Sequence, residues 1–369
     1  MLEQNAALEL KGAEMSWGVL WCECSAFPVT DGIPYLRAGK TTRSVLALLE
    51  SGARQEALST LLGVPLETKW PENPIGFREA LSRLCSTPEA DYFLYRFSDP
   101  TFLVSDALLR ALPKQPGRCL DLCGGTGHLT RSLLPAGEVW LADLEFWKVW
   151  LAKKIVALEC KAVCCDASQP LPFARGAFSF VFASDSLNYI WQKRLFACEA
   201  ARVLARNGAL VFTHLHNALW ENPSPGMPLT PEGYRALIET LPIRMYKESE
   251  SFEAVLAKRP LDLTQLLKTT ELQSEPALIA IASEDSSVFQ RHQIPRTTLP
   301  GRLAINPLYH VEPAEQRMKL TLRFPSKYYE QEFGKARRYL PEEVEVDPRD
   351  LNQPDLIDKR VVLCLPDNY

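Results

Sequence analysis

A short apolar run, Arg118-Cys119-Leu120-Asp121-Leu122, carries a carboxylate near its end and passes straight into Cys123-Gly124-Gly125-Thr126-Gly127-His128. A helical pattern starts directly afterwards. Glycines at 124, 125 and 127 strip side chains from this turn, so backbone N–H groups and the start of the helix can face a ligand. A nicotinamide-type loop needs G-x-G-x-x-G, and Gly125-Thr126-Gly127-His128-Leu129-Thr130 lacks the third glycine. A carboxylate just before the loop would also repel a pyrophosphate. The feature predicts a strand–turn–helix that holds a charged, ribose-bearing ligand other than a dinucleotide. Asp121 can bind a cationic group of that ligand, directly or through water.

Two further acids extend the pattern. Asp143 ends the next predicted strand, Val139 to Asp143, where a carboxylate can accept both hydroxyls of a ribose. Asp166 follows the strand Ala162 to Cys165, with Ala167 after it, and is placed to accept from an exocyclic amine such as adenine's. Three acids at consecutive strand ends fall on the carboxyl edge, where open α/β sheets bind ligands.

The rest of the pattern predicts an α/β fold, a largely parallel sheet with helices between its strands. The fourth and fifth strands are Phe178 to Ala183 and Ala209 to His214. The helix between them is expected to stop near Asn207-Gly208. Thr230-Pro231-Glu232-Gly233 has the cap and early proline of a helix running to Thr240. Ile243 to Tyr246 and Leu278 to Ala282 complete seven strands, around an inserted helical stretch at Phe252–Leu267. Four regions are expected: residues 1–40, a helical region 41–115, the α/β core 116–285, and an extension 286–369 with one hairpin (Leu308–Val311, Lys319–Phe324).

Composition narrows the function classes. A net charge of -4 over 369 residues gives no basic footprint, so no nucleic-acid partner is expected. There is no run of 18 apolar residues and no signal-peptide pattern at the start. A cytoplasmic protein without a membrane partner is expected. Ten cysteines in such a chain are expected as reduced thiols. Cys22 and Cys24 have no second pair nearby, so no metal site is assigned.

The motifs resemble class I S-adenosylmethionine-dependent methyltransferases. The resemblance rests on Asp121 to Gly127, the strand Val139-Trp140-Leu141-Ala142-Asp143, Asp166 to Phe173, Ala177 to Ser184, and Glu199-Ala200-Ala201-Arg202-Val203-Leu204. It covers about residues 90–283. The Gly-Gly-Thr-Gly form and the Leu171-Pro172-Phe173 segment are most similar to the quinone-biosynthesis, UbiE-like branch. The resemblance implies a Rossmann-like seven-stranded sheet with helices on both faces, and S-adenosylmethionine as cofactor. Asp121 with Cys123, Gly124, Gly125 and Gly127 would hold the methionine moiety. Asp143 and its neighbour Leu144 would meet the ribose, Asp166 and Ala167 the adenine, and Ser184 would lie near the sulfonium. The sequence departs from the usual motifs at Cys123, where glycine is commonest, at Ser179, where Asp is usual, and at Arg206-Asn207-Gly208, which replaces a Pro-Gly-Gly turn. Residues 20–36 are similar to half of a small zinc-ribbon module, without its paired cysteines, and read as a metal-free remnant packed on the core.

The fifth strand ends in Thr213-His214-Leu215-His216-Asn217. Histidine titrates near neutrality, and alternation puts His214 and His216 on one side. They are the candidate catalytic bases. Asn188 and Tyr189 are the candidate acceptor contacts, and Tyr95 and Arg96 can cover the cofactor or pair with its carboxylate. The aromatic run Phe146-Trp147-Lys148-Val149-Trp150 reads as core packing or a contact with the N-terminal region, and Phe324 to Tyr329 as a lid or surface packing. The function expected is methylation of a small-molecule acceptor, on O, N or C. Two alternatives stand beside it: a catalytically silent cofactor-binding scaffold or regulator, and a nonmethylating enzyme on the same fold, such as a cyclase.

Overall fold

Seven strands form the central sheet of the computed structural model, which describes residues 9–11, 14–70, 75–222, 224–296, 299–313 and 317–369. They are β1 (Cys119–Leu122), β2 (Val139–Asp143), β3 (Lys161–Cys164), β4 (Phe178–Ser184), β5 (Leu204–His216), β6 (Ile243–Lys247) and β7 (Ala277–Ser283). Their order is β6-β7-β5-β4-β1-β2-β3. β7 runs antiparallel to both of its neighbours, while β1 to β5 pair in parallel. From β1 the chain winds outward through β2 and β3, then returns to β4 on the other side. The topological switch point therefore lies between β1 and β4, where a crevice opens at the carboxyl ends.

Both faces of the sheet are covered, which is why its strands read as nearly continuous apolar runs. Cys119, Leu141, Phe180, Phe182, Val211 and Ile281 pack under the helices of residues 40–111. Leu120, Leu122, Val181, Ala183, Leu210 and Phe212 pack against Phe196, Ala200 and Val203 of the helix Lys193–Val203. That helix stops four residues short of the expected Asn207-Gly208 turn, because Leu204 already pairs with Phe178 in the sheet. Asn207 takes a left-handed φ of 60° within the extended strand. The helix after Thr230 is also shorter than expected, Pro231–Arg235 rather than to Thr240. The inserted stretch splits into a helix, Glu248–Leu256, and a short strand, Leu261–Asp262, paired with Arg291–His292.

The first forty residues, of which 1–8, 12 and 13 lie outside the described set, form an antiparallel meander, Glu9–Lys11, Glu14–Cys22, Ser25–Thr30 and Ile33–Pro34. Asp31 and Gly32 take φ of 58° and 78°, the left-handed pair a two-residue hairpin turn requires. The Asp31 carboxylate then accepts from Trp150 Nε1 at 2.8 Å and Lys154 Nζ at 2.7 Å. Tyr35 bridges Cys164 in parallel, and Leu36 N–H donates to the Cys164 carbonyl at 2.8 Å. The meander thus covers the open edge of β3, which otherwise presents unpaired backbone groups. The aromatic run on the helix Phe146–Leu151 supplies the packing surface: Phe146 meets Tyr35, and Trp150 meets Trp70.

The region after residue 286 holds more than the expected hairpin. Tyr309–Pro313, Met318–Leu322 and Glu343–Val346 form a three-stranded sheet, followed in space by the helix Lys327–Phe333. Val362–Leu365 pairs with Arg302–Ile305, and Leu363 and Leu365 enter the same core as the N-terminal helices. Tyr369 completes the join. Its ring stacks on Phe77 at 4.6 Å, and its hydroxyl lies 2.9 Å from His128 Nε2 and from the carbonyls of Phe93 and Leu94. Burial holds His128 well below the usual histidine range, so it stays neutral. Tyr369→Phe leaves these buried polar groups without that partner. It is expected to cost about 1–3 kcal/mol, seen as a lower thermal unfolding midpoint; an unchanged midpoint would contradict this account of the join.

Candidate functional site

The turn after β1 is shaped by what lies beneath it. Asp121 is buried below the loop, and its carboxylate accepts from Thr130 Oγ1 at 2.6 Å. A Cβ on Gly124 would stand 2.8 Å from the Asp121 carboxyl carbon, so only glycine closes over it. Gly127 combines a φ of 84° with a 2.8 Å approach of any Cβ to Ala152. Cys123 carries a side chain despite a φ of 63°. The loop is tied to β2 by Cys123 N–H on the Ala142 carbonyl at 2.7 Å and Gly125 N–H on Asp143 Oδ2 at 2.9 Å. Asp143 Oδ1 takes the N–H of Glu145 at 3.0 Å, and Asp166 Oδ1 takes that of Ser168 at 2.8 Å. Both carboxylates are therefore fixed in direction at their strand ends.

A cavity of about 940 Å³ opens over this edge. Asp121, Cys123, Gly124, Gly125, Asp143, Leu144, Asp166, Ala167 and Ser184 all border it. Gly127 does not; it turns the chain into the helix below. Its lining also includes Tyr189, Ile190 and Pro225 from the loops after β4 and β5, and Pro325, Tyr328, Tyr329, Glu332 and Phe333 from the C-terminal extension. The segment 324–329 thus contributes wall residues to the cavity. Arg96 borders it too, buried and paired with Asp99 at 2.7 Å. Tyr95 does not border it; its ring packs edge-on against Tyr329 at 5.7 Å, and its carbonyl accepts from the Tyr329 hydroxyl at 3.3 Å. Of the two acceptor candidates, Tyr189 borders the cavity. Asn188 is buried behind it, donating to the Pro225 carbonyl at 3.0 Å and so joining the two loops.

The histidines take an unexpected place. β5 has a bulge opposite Ile279, where the register to β7 slips, and His214 sits there at φ 51°. The two imidazoles do share a side, with ring centres 4.7 Å apart, but neither borders the cavity. Asp185, directly after Ser184, brings their group to the wall. Its Oδ1 accepts from His216 Nε2 at 3.1 Å and its Oδ2 from the Tyr92 hydroxyl at 3.3 Å. His214 Nδ1 donates to Glu248 Oε1 at 2.8 Å. Burial alone would lower His214, but the charge of Glu248 and this hydrogen bond outweigh it and push the imidazole up to about 9. A group charged at neutral pH cannot take a proton there, so His214 does not suit the role of base. Burial would raise Asp185, yet the His216 hydrogen bond and the charges of His214 and Arg96 hold it below the usual range. Asp185 was missed in the sequence, although the rule that picked Asp121, Asp143 and Asp166 also applies to it. Glu248 and Glu332 carried no local signal.

Comparison with known proteins follows the same region. Residues 119–208 match the family model described as a methyltransferase domain. A UbiE ubiquinone/menaquinone biosynthesis C-methyltransferase of Stutzerimonas stutzeri is 32% identical over 163 residues, 38% of this chain and 62% of that protein. A malonyl-[acyl-carrier protein] O-methyltransferase of Legionella pneumophila is 33% identical over 111 residues, 29% of this chain and 39% of that protein. The chain therefore spans less than two thirds of these curated relatives. Among solved structures, the methyltransferase complex with the Trm112 activator from Haloferax volcanii is similar at TM-score 0.41 and 15% identity, covering 53% of this chain and 94% of that one. Phosphoethanolamine N-methyltransferase 2 of Haemonchus contortus, with S-adenosylhomocysteine, is similar at TM-score 0.41 and 16% identity, covering 57% and 60%.

Asp121 gives the first test of this geometry. Burial, reinforced by the charge of Asp143, raises its carboxyl to about 7 against the pull of Thr130. The native state thus holds a proton that the unfolded chain releases near the ordinary Asp range, about 3.9. Its contribution to stability falls as pH climbs from about 4 to about 7, then levels. In the cofactor-free protein, Asp121→Asn is expected to raise the unfolding midpoint at pH 8 relative to wild type more than at pH 5. Equal effects at both pH values would show that Asp121 is not held in its neutral form.

Proposed function

We propose, on the premise that this chain belongs through its domain at residues 119–208 to the class I S-adenosylmethionine-dependent methyltransferases, that it methylates a small-molecule acceptor held in the 940 Å³ cavity. One observation carries this reading. A single cavity collects the strand-end acids Asp121, Asp143, Asp166 and Asp185 over a loop that only glycine closes. The residues fit the cofactor. Asp143, its carboxylate oriented by two backbone N–H groups, would take the ribose hydroxyls, with Leu144 beside it. Asp166 and the buried Ala167 would meet the adenine, and Asp121 with the Cys123–Gly125 backbone the methionine end. When bound, S-adenosylmethionine supplies an electrophilic methyl group on a sulfonium for in-line displacement.

The chain's own residues do the positioning, the main demand of such a step. Ser184 and Asp185 close the end of β4, and Ser184 is braced by Ser105 at 3.4 Å. Tyr189, Ile190, Tyr328 and Phe333 give the acceptor an apolar, aromatic wall, with Asp185 and Glu332 as its acids. Asp185, oriented by His216 and Tyr92, accepts the hydrogen bond of the acceptor's reacting group, and His216 acts through it as a positioning residue. The catalytic unit in this reading is residues 116–285, with 1–40, 41–115 and 286–369 packed around it and the extension completing the acceptor wall. None of the helices among the described residues is long and apolar enough to cross a membrane, and the net charge of -4 favours no nucleic acid. Both accord with a cytoplasmic enzyme of small-molecule biosynthesis.

Calorimetric titration with S-adenosylhomocysteine tests the cofactor assignment. Wild type is expected to bind, and Asp143→Ala to bind at least tenfold more weakly. No binding by wild type, or equal binding by the variant, would contradict it. With an acceptor in hand, Asp185→Asn is expected to lower kcat by about a hundredfold, with S-adenosylmethionine affinity changed far less. An unaltered kcat would remove Asp185 from the reaction.

A further inference from the structure

We infer that Asp185, His214 and His216 form a site for a divalent transition metal, zinc by its chemistry, opening on the acceptor side of the cavity. The inference deepens the proposed methyl transfer, and rests on it only for what the ion would bind: an acceptor that ligates through a hydroxyl or thiol.

The three side chains come from the ends of β4 and β5, and one ligand atom of each lies within 4.8 Å of the others. His216 Nε2 and Asp185 Oδ1 are 3.1 Å apart. Two ligands on one tetrahedral zinc, with bonds near 2.0–2.1 Å, stand about 3.3 Å apart. Small rotations of the imidazoles close the rest. Two imidazoles and one carboxylate suit zinc with an open fourth position, whereas magnesium and calcium prefer oxygen ligands throughout.

Three other observations agree. First, His214 gives its Nδ1 to Glu248 at 2.8 Å, which leaves Nε2 directed elsewhere. A carboxylate behind a histidine is the usual support of a metal-binding imidazole. Second, Asp185 and His214 are both non-glycine residues at φ 51°, and His214 sits on a bulge. Such conformations are energetically unfavourable and gather at functional sites; here they turn two side chains towards one point. Third, the local charge is unbalanced. Asp185, Glu248 and Glu332 surround the group, while Arg96 is committed to Asp99 at 2.7 Å. Three carboxylates gathered at one point favour a cation there. Asp185 and Glu332 also border the cavity, so the open position faces the space where the acceptor would lie. A hydroxyl or thiol bound there would be polarised by the ion.

The test uses cobalt(II) as the probe, added to chelator-treated full-length protein carrying Cys22→Ser and Cys24→Ser. Those exposed thiols, 3.3 Å apart, would otherwise compete. Visible d–d absorption should saturate at one cobalt per chain, without a thiolate charge-transfer band. His214→Gln and Asp185→Asn should each weaken cobalt binding at least tenfold. Glu248→Gln, which removes only the support, should weaken it by less. Thermal unfolding confirms that each variant is folded, and a variant that is not is replaced by His216→Gln. Absence of a saturable band in the parent, or a band that these substitutions leave unchanged, overturns the metal site. S-adenosylhomocysteine titrated into the same parent keeps the two readings apart. Cofactor binding without cobalt binding overturns the ion alone, and cobalt binding without cofactor binding overturns the methyltransferase reading while supporting the ion.

Discussion

The N–H of Gly125 on the carboxylate of Asp143 is the contact from which the rest of the site follows. It ties the turn after β1 to the end of β2, beside the switch point of the sheet. With Asp121 buried beneath and Thr130 holding it, the loop has one way to lie. The cost is a buried carboxyl raised to about 7. That cost makes sense if a cation is due nearby, since a sulfonium or ammonium group would restore the favourable charge on Asp121.

The regions around the core serve this edge in different ways. The N-terminal meander covers the edge strand β3 and grips the helix after β2 through Asp31. The C-terminal extension does more. One part, through Leu363, Leu365 and Tyr369, is buried with the helices of residues 40–111. Another part, Pro325 to Phe333, walls the cavity. A change of acceptor could be made there without touching the cofactor loop, which fits the general separation of scaffold from substrate choice.

Much of this was legible in the sequence because it is local. The strand-end acids, the glycine loop and the alternation of strands and helices depend on near neighbours and on the rule that ligands sit at carboxyl ends. Helix ends were less legible: Leu204 leaves the helix early because Phe178 is there to pair with it, a tertiary fact. The acceptor side was hardest. Glu248 and Glu332 reach Asp185 and the histidines from distant segments, and a bulge at His214 redirects a side chain that plain alternation would place by count. Likewise, nothing near Tyr369 foretells its bond to His128.

The central claim is methyl transfer to a small molecule, and product mass tests it most directly. The protein is incubated with S-adenosylmethionine carrying a labelled methyl group and a small-molecule extract, and both products are followed by mass spectrometry. The account predicts S-adenosylhomocysteine together with one or more extract components heavier by a single labelled methyl. An extract unchanged in mass, with the cofactor bound but intact, would contradict it.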